Sequence, residues 1–431
     1  MKKYFQFAER GATYRKETLA GITTFLSMAY ILVVNPIVLS EAGMDKGAVF
    51  TATTVTAILG TLLMGLLANY PIGIASSMGL NSFFTYSVVI GMGIPWQTAL
   101  TGVLVSAVLF VILSLLKIRE KIINTIPSDL KYAIASGIGF FVAFIGLKNA
   151  GIIAGNEATF VSLGSLTDPP VVLALFTFII TAVMLVKGVR GAIFYGMVIG
   201  TATGMLTGLI DKPASVIGSV PSLEPTFGAA FENMDKVLTP DLLAVIFTFL
   251  FVGFFDTAGT LIAVASQAGL MKNNEIPNAG RALLADSSAS VIGSVLGTTT
   301  TASFIESSAG IAAGGRTGFS SVVISALFTL SLFFSPLLSV VTAEVTAPAI
   351  IIVGALMASE IRHVNWSRIE IVIPAFVTII MMPLTFSVAT GIALGFILYP
   401  VTMAALKKHK DVHPIMYVLG AIFILYFVYI S

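Results

Sequence analysis

The chain has 431 residues, 57% hydrophobic and only 10% charged, where soluble domains carry about 25% charged residues. That leaves too little polar surface to coat a water-soluble globule. A formal net charge of +2 offers no broad basic face for nucleic acid, and the lack of cysteine excludes a disulfide scaffold, a thiolate metal site and Cys nucleophilic catalysis.

Met1–Lys16 is polar and basic, and the apolar stretch after it is too long for a signal-peptide core. Residues 1–18 therefore read as a cytoplasmic N-terminal segment. Stretches of about 20 apolar residues read as spanning helices. The first half, residues 19–210, holds Leu19–Leu39, Ala48–Ala68, Ile74–Ile90, Gln97–Leu116, Leu130–Leu147, Val171–Val186 and Gly191–Ile210. Residues 211–241 form a net acidic extracellular loop. The second half, residues 242–406, holds Leu242–Ile262, Ala282–Leu296, Thr298–Ala313, Phe319–Leu338, Ala347–Ser359, Ile369–Leu384 and Val388–Leu406. Residues 407–431 are a basic loop and a further hydrophobic helix, Pro414–Ile430, either a fifteenth crossing or an interfacial helix.

Charge placement agrees with about fourteen crossings and a cytoplasmic N-terminus. Lys117, Arg119, Lys121 and Lys131, then Lys187 with Arg190, Lys272 with Arg281, Arg316, Arg362 with Arg368, and Lys407, Lys408 with Lys410 all fall on inside loops, as the positive-inside rule requires. Seven spans per half force the halves into opposite orientation, the inverted-repeat plan of many secondary transporters. Ile74–Ile90 and Thr298–Ala313 are each third in their half, short, and interrupted by Gly, Ser or Thr. Such paired interruptions point to a midplane binding site. The β-branched run Thr298–Thr301 favours extended backbone, so each segment is expected to be a short extended stretch followed by a half-helix. The half-helices should start near Ser303 and before Leu80. The extended stretches should pair with each other, because backbone at membrane depth must be hydrogen-bonded.

Four polar positions stand out on these segments. Glu306 is a carboxylate about a turn into the proposed half-helix, where the dipole favours negative charge; it is either functional or paired to Arg316. Asp256 sits midway through Leu242–Ile262 with no basic residue within a turn or two. It is either a proton-coupling acid or a protonated hydrogen-bonder to a neighbouring helix. Asn81 offers an amide beside the first half-helix and serves either as substrate contact or as interhelical glue. Asp286 lies near Arg281 and reads as structural, and Asn35 and Gln267 are weaker candidates. Phe83, Phe84, Phe254, Phe255 and Phe304 could stack on a flat ligand, although Phe is common in every span. The stretch Gly310–Gly315 lacks a P-loop lysine pattern and reads as tight packing. His363, His409 and His413 all lie near Lys- or Arg-rich segments, so no zinc site, triad or cofactor is expected.

Four stretches carry a family resemblance: Ser77–Tyr86 (SMGLNSFFTY), Gly253–Leu261 (GFFDTAGTL), Pro277–Asp286 (PNAGRALLAD) and Thr298–Gly310 (TTTTASFIESSAG). Together they resemble the nucleobase–ascorbate (xanthine/uracil) permease family in its AzgA-like purine branch. The resemblance implies an all-α membrane protein of two inverted seven-span repeats, with a core domain holding the site and a gate domain beside it. It also implies proton-coupled uptake of hypoxanthine, guanine or adenine, often by a homodimer, in the plasma membrane. The family's base-holding acid of the tenth span matches Glu306, its eighth-span acid matches Asp256, and its third-span asparagine matches Asn81. Ser303, Phe304 and Ser307 flank the acid and complete the candidate substrate-binding set, with Asp256 and Glu306 as the proton-coupling pair. Ser307 departs from the Asn usual after the acid in the wider family, which disfavours xanthine, urate and uracil. An anion transporter of the same fold is the alternative, and two carboxylates facing the site argue against it. An enzyme would need a nucleophile with an oriented base and a channel would need charge rings or a filter repeat; neither is found. The sequence ranks neither the three purines nor proton against sodium.

Overall fold

The computed structural model describes residues 1–116, 127–213, 215–267, 270 and 277–430. Some side chains on them, Asp256 and Gln267 included, lie outside the description, as do the predicted inside-loop residues Lys117, Arg119, Lys121 and Lys272. Among the described residues, eight helices are long and apolar enough to cross a membrane, and four shorter apolar helices accompany them. Their bounds follow the hydropathy reading closely: Gln97–Leu116 is found as Trp96–Leu115, Leu130–Leu147 as Ser128–Asn149, and Ile369–Leu384 unchanged.

Three features depart from that reading. The first span is two helices, Tyr14–Met28 and Ile31–Ser40, joined by a tight turn at Ala29–Tyr30. Pro36 lies inside the second piece, where it removes one N–H and crowds the carbonyl four residues back. Residues 148–169, between two spans, carry a hairpin of strands Ile153–Asn156 and Phe160–Leu163, which the apolar pattern gives no reason to expect. The N-terminal segment, read as merely polar, is folded on the body. Phe5 and Phe7 are buried and stack edge-on with Phe319, while Arg10 donates to the carbonyls of Asn69 and Arg316.

Helix packing sorts the chain into two groups. In one, Tyr14–Met28 packs on Gly318–Ser331, and Lys46–Leu63 packs on both Gly318–Ser331 and Ala279–Leu296. Trp96–Leu115 completes it against Ala279–Leu296 and Pro240–Gln267. In the other, Ser128–Asn149 packs on Ala343–Ala358 and Ile369–Leu384, and Pro169–Val186 on Ala343–Ala358 and Ala192–Leu206. Val388–Ala405 packs on Ile369–Leu384 and carries Pro414–Ile430. Glycine allows close crossings in each group. Gly65 meets Gly318 in the first, and in the second a Cβ on Gly139 would stand 2.6 Å from the Gly354 carbonyl oxygen. Small residues allow this approach, which drives association where lipid removes the hydrophobic incentive.

Candidate functional site

At the centre of the first group two three-residue strands, Ile74–Ser76 and Thr301–Ser303, pair antiparallel with Ala75 opposite Ala302. All six residues are buried. The pairing expected from the sequence is therefore present, and three further contacts extend it. Ser77 N donates to Thr300 O at 2.9 Å, Phe304 N to Gly73 O at 2.9 Å, and Gly73 N to Ser307 Oγ at 3.0 Å. These contacts explain the main correction to the sequence reading. The second half-helix starts at Ser307, not near Ser303, because residues 301–304 are held extended by the partner strand. Glu306 is thus the cap residue at the very start of helix Ser307–Ala312, not a turn into it. The first half-helix begins at Met78, as anticipated, and continues as a wider π-type helix over Phe83–Gly91.

Glu306 is half-buried and follows Ile305, which is 47% exposed. Its Oε1 accepts a hydrogen bond of 2.8 Å from the hydroxyl of Tyr30, itself 1% exposed. Tyr30 sits at the break in the first span. Sequence reasoning missed it; the one available signal was Pro36 in mid-span, which marks a disturbed helix nearby. Arg316, the alternative partner for Glu306, sends its guanidinium to the carbonyls of Ile311 and Gly315 at 2.7 Å each. Its backbone N–H instead meets Glu17, a fully buried acid on the first helix that also accepts from Thr317 N and from Ser320 Oγ at 2.6 Å. Glu17 was also missed; it holds the turn that leads into helix Gly318–Ser331, whose cap is Thr317.

Behind the strands lies a closed polar network. Asn35 Nδ2 donates to Thr53 Oγ1 at 2.6 Å and to Thr298 Oγ1 at 3.0 Å. Asn81 Nδ2 donates to Asn35 Oδ1, and Thr299 Oγ1 donates to Asn81 Oδ1. Asn81, Asn35, Thr298 and Thr299 are all 0% exposed. Both ends of the Asn81 amide are committed within the protein, which is the interhelical role. Asn81 is fully buried, whereas Glu306 is half-buried. Asn35, a weak candidate by sequence, is the hub of the network.

The remaining candidates fall on either side of this line. Ser307 Oγ is taken by Gly73 N, Phe304 is 7% exposed, and Ser303 is 3% exposed with its hydroxyl unpartnered among the described residues. Asp256 lies on helix Pro240–Gln267, and its carboxylate is outside the described side chains. The next residue, Thr257, donates to Asp286 Oδ2 at 2.7 Å. Asp286 is 4% exposed, and its carbonyl accepts from Thr301 Oγ1 at 3.1 Å. Asp286 thus ties the Asp256 helix to the second strand, the structural role expected of it. Among the described residues no cluster of three His, Asp or Glu could hold a metal.

Residues 15–394 match the permease family that includes the xanthine and uracil carriers. The chain is 56% identical to the guanine/hypoxanthine permease PbuG of Bacillus subtilis, over 100% of both chains. It is 40% identical to the adenine permease AdeP of Escherichia coli, over 100% of this chain and 96% of that one. Among solved structures, the transmembrane domain of the cyanobacterial bicarbonate transporter BicA aligns with a TM-score of 0.66 at 16% identity, covering 87% of this chain and 97% of that one. A likeness at that identity carries a transporter fold and no cargo. With a match over most of its length and relatives that cover the whole of it, the chain belongs to this permease family, in its AzgA-like purine branch, and is a multi-pass membrane transporter and not an enzyme.

Proposed function

We propose that the protein imports the purine nucleobases hypoxanthine, guanine and adenine across the cell membrane by proton symport with alternating access. One observation carries the reading: Glu306 stands half-open at the start of a half-helix, braced by Tyr30, where two broken spans cross. A purine is a neutral ring edged with N–H donors, and a carboxylate is an acceptor-only group. A bound anion would instead meet like charge at low dielectric. The named relatives carry guanine, hypoxanthine or adenine, in keeping with this preference.

The helix contacts support two inverted seven-span repeats. Counting spans along the chain and exchanging the halves turns several of the most extensive contacts into one another. First-on-eleventh becomes eighth-on-fourth, second-on-eleventh becomes ninth-on-fourth, fifth-on-thirteenth becomes twelfth-on-sixth, and thirteenth-on-fourteenth becomes sixth-on-seventh. On this plan the group that holds the strands is the core, the other is the gate, and the N-terminus is cytoplasmic. Asp256 takes the coupling proton, because an acid in mid-span without a nearby cation disfavours its charged form.

The test is equilibrium binding of labelled hypoxanthine to purified wild type and Glu306→Gln. The amide keeps the size of the side chain but turns a donor toward a donor. Losing a hydrogen bond to a charged group should weaken binding by about 1.5–3 kcal/mol, roughly ten- to a hundredfold. Equal affinity in the two proteins would remove Glu306 from the site.

A further inference from the structure

A cavity of about 440 Å³ has a lining that does not include Glu306. It is bounded by the π-type helix Phe83–Gly91, the end of helix Ser128–Asn149, the beginning of helix Pro240–Gln267 and the turn before Val388. That volume falls within the range of about 300–1,000 Å³ typical of small-molecule sites. Phe83, Tyr86 and Phe386 give it aromatic walls, Ser87 and Thr248 give it hydroxyls, and Lys148 brings a single charge. Among the described lining residues there is no carboxylate.

Phe386 is the unusual member. Its φ is 54°, left-handed backbone that a bulky residue rarely adopts and that persists only where the surroundings over-determine it. Those surroundings are visible. The Phe386 carbonyl accepts from Ser87 Oγ at 2.9 Å. Its ring meets Tyr86, Phe141 and Phe144 edge-on with centroids 5.5–6.0 Å away, and Lys148 Nζ stands 5.4 Å from its centroid. The Ser87–Phe386 bond joins the two helix groups, as does the 3.0 Å bond from Asn149 Nδ2 to the Tyr86 hydroxyl. The cavity wall is therefore also the joint between groups.

The cavity adjoins the elements that frame the main site. Thr248 precedes Asp256 by eight residues on one helix, about 12 Å along its axis. Phe83 follows Asn81 by two residues on the third span. The cavity thus shares the helix that carries Asp256 and the third span, whose strand Ile74–Ser76 pairs with the strand leading to Glu306.

We propose that the cavity is an outer docking subsite for a planar, neutral heteroaromatic ring, the purine base on its way to Glu306, and that Phe386 is the wall that shifts when the two helix groups part. This rests on the purine-carrier reading above. Ring faces stack on Phe83, Tyr86 and Phe386, while hydroxyls and Lys148 meet the ring nitrogens and carbonyl oxygen. An inorganic anion would find one cation, already placed over a ring, among walls that give it little to bond.

The experiment uses the absence of native cysteine. Ala244→Cys places one thiol on the cavity lining, and its modification rate is measured in detergent-purified protein with and without hypoxanthine. Hypoxanthine should slow modification at least threefold, and the slowing should survive Glu306→Gln, which disables the main site. It should be lost in Phe386→Leu and kept in Phe386→Tyr. Lys148→Met should reduce it in the same direction, which keeps the test open if Phe386→Leu does not fold. Protection that is absent, that vanishes with Glu306→Gln, or that chloride or bicarbonate reproduces would overturn the subsite. Purine uptake in vesicles without such protection would leave the carrier reading standing and the subsite refuted. Protection without any purine uptake would do the reverse.

Discussion

A carboxylate at the centre of a membrane helix costs about 2.5–3.5 kcal/mol unless it is paired or used, and Glu306 meets that cost in part through Tyr30. The phenol lies 2.8 Å from Oε1 and is itself sealed from outside, so it fixes the carboxylate's orientation. Tyr30→Phe keeps the ring and removes the donor. A hydrogen bond to a charged group contributes about 1.5–3 kcal/mol, so calorimetry should show hypoxanthine binding about tenfold weaker. Combined with Glu306→Gln, it should add little, because both changes act through one carboxylate and coupled residues are not additive. Fully additive losses would mean that Tyr30 touches the purine independently. Glu306 was legible in the sequence because a lone acid in an apolar stretch demands an explanation. Tyr30 was not, being one of eleven tyrosines whose partner lies 276 residues away. Glu17 escaped for the same reason: its partners, Arg316, Thr317 and Ser320, are brought to it only by the fold.

At the scale of elements, two three-residue strands are too short to be stable alone, and they persist because their backbone has no other partner at that depth. The run of four threonines announced extended backbone, but the strand itself is displaced to Thr301–Ser303. Thr298 and Thr299 turn their hydroxyls to Asn35 and Asn81 instead. Local propensity located the break, and the partner strand decided its register and delayed the half-helix to Ser307. The Asn81 amide belongs to this scaffold. Asn81→Ala strands Asn35 Oδ1 and Thr299 Oγ1 without it, each worth about 1–3 kcal/mol if left unsatisfied. The melting temperature in detergent should fall by several degrees, while the folded fraction binds hypoxanthine within about threefold of wild type. An unchanged melting temperature with lost binding would place the amide on the ligand instead.

For the whole molecule, hydropathy located the eight spanning helices and the four shorter apolar ones among the described residues, since apolar length is a property of each segment alone. Which helix rests on which was not legible, because that depends on contacts such as Gly65 with Gly318 and Gly139 with Gly354, far apart in the chain. The resulting division into two groups, joined at Ser87–Phe386 and Asn149–Tyr86, would give the proposed alternating access two bodies to move. Asp256, on the helix beside the strands, would link that movement to protons. Asp256→Asn mimics the protonated acid, so purine should still bind and exchange across the membrane, with purine-driven proton influx abolished. Proton influx that persists in this variant would shift the coupling role to Glu306. The central claim, that the cargo is a purine, is tested most directly by uptake of labelled hypoxanthine into proteoliposomes under an inward proton gradient, challenged with a panel of competitors. The account predicts accumulation that guanine and adenine block and that uracil, sulfate and bicarbonate leave unchanged; uptake indifferent to purines, or inhibited by bicarbonate or sulfate, would contradict it.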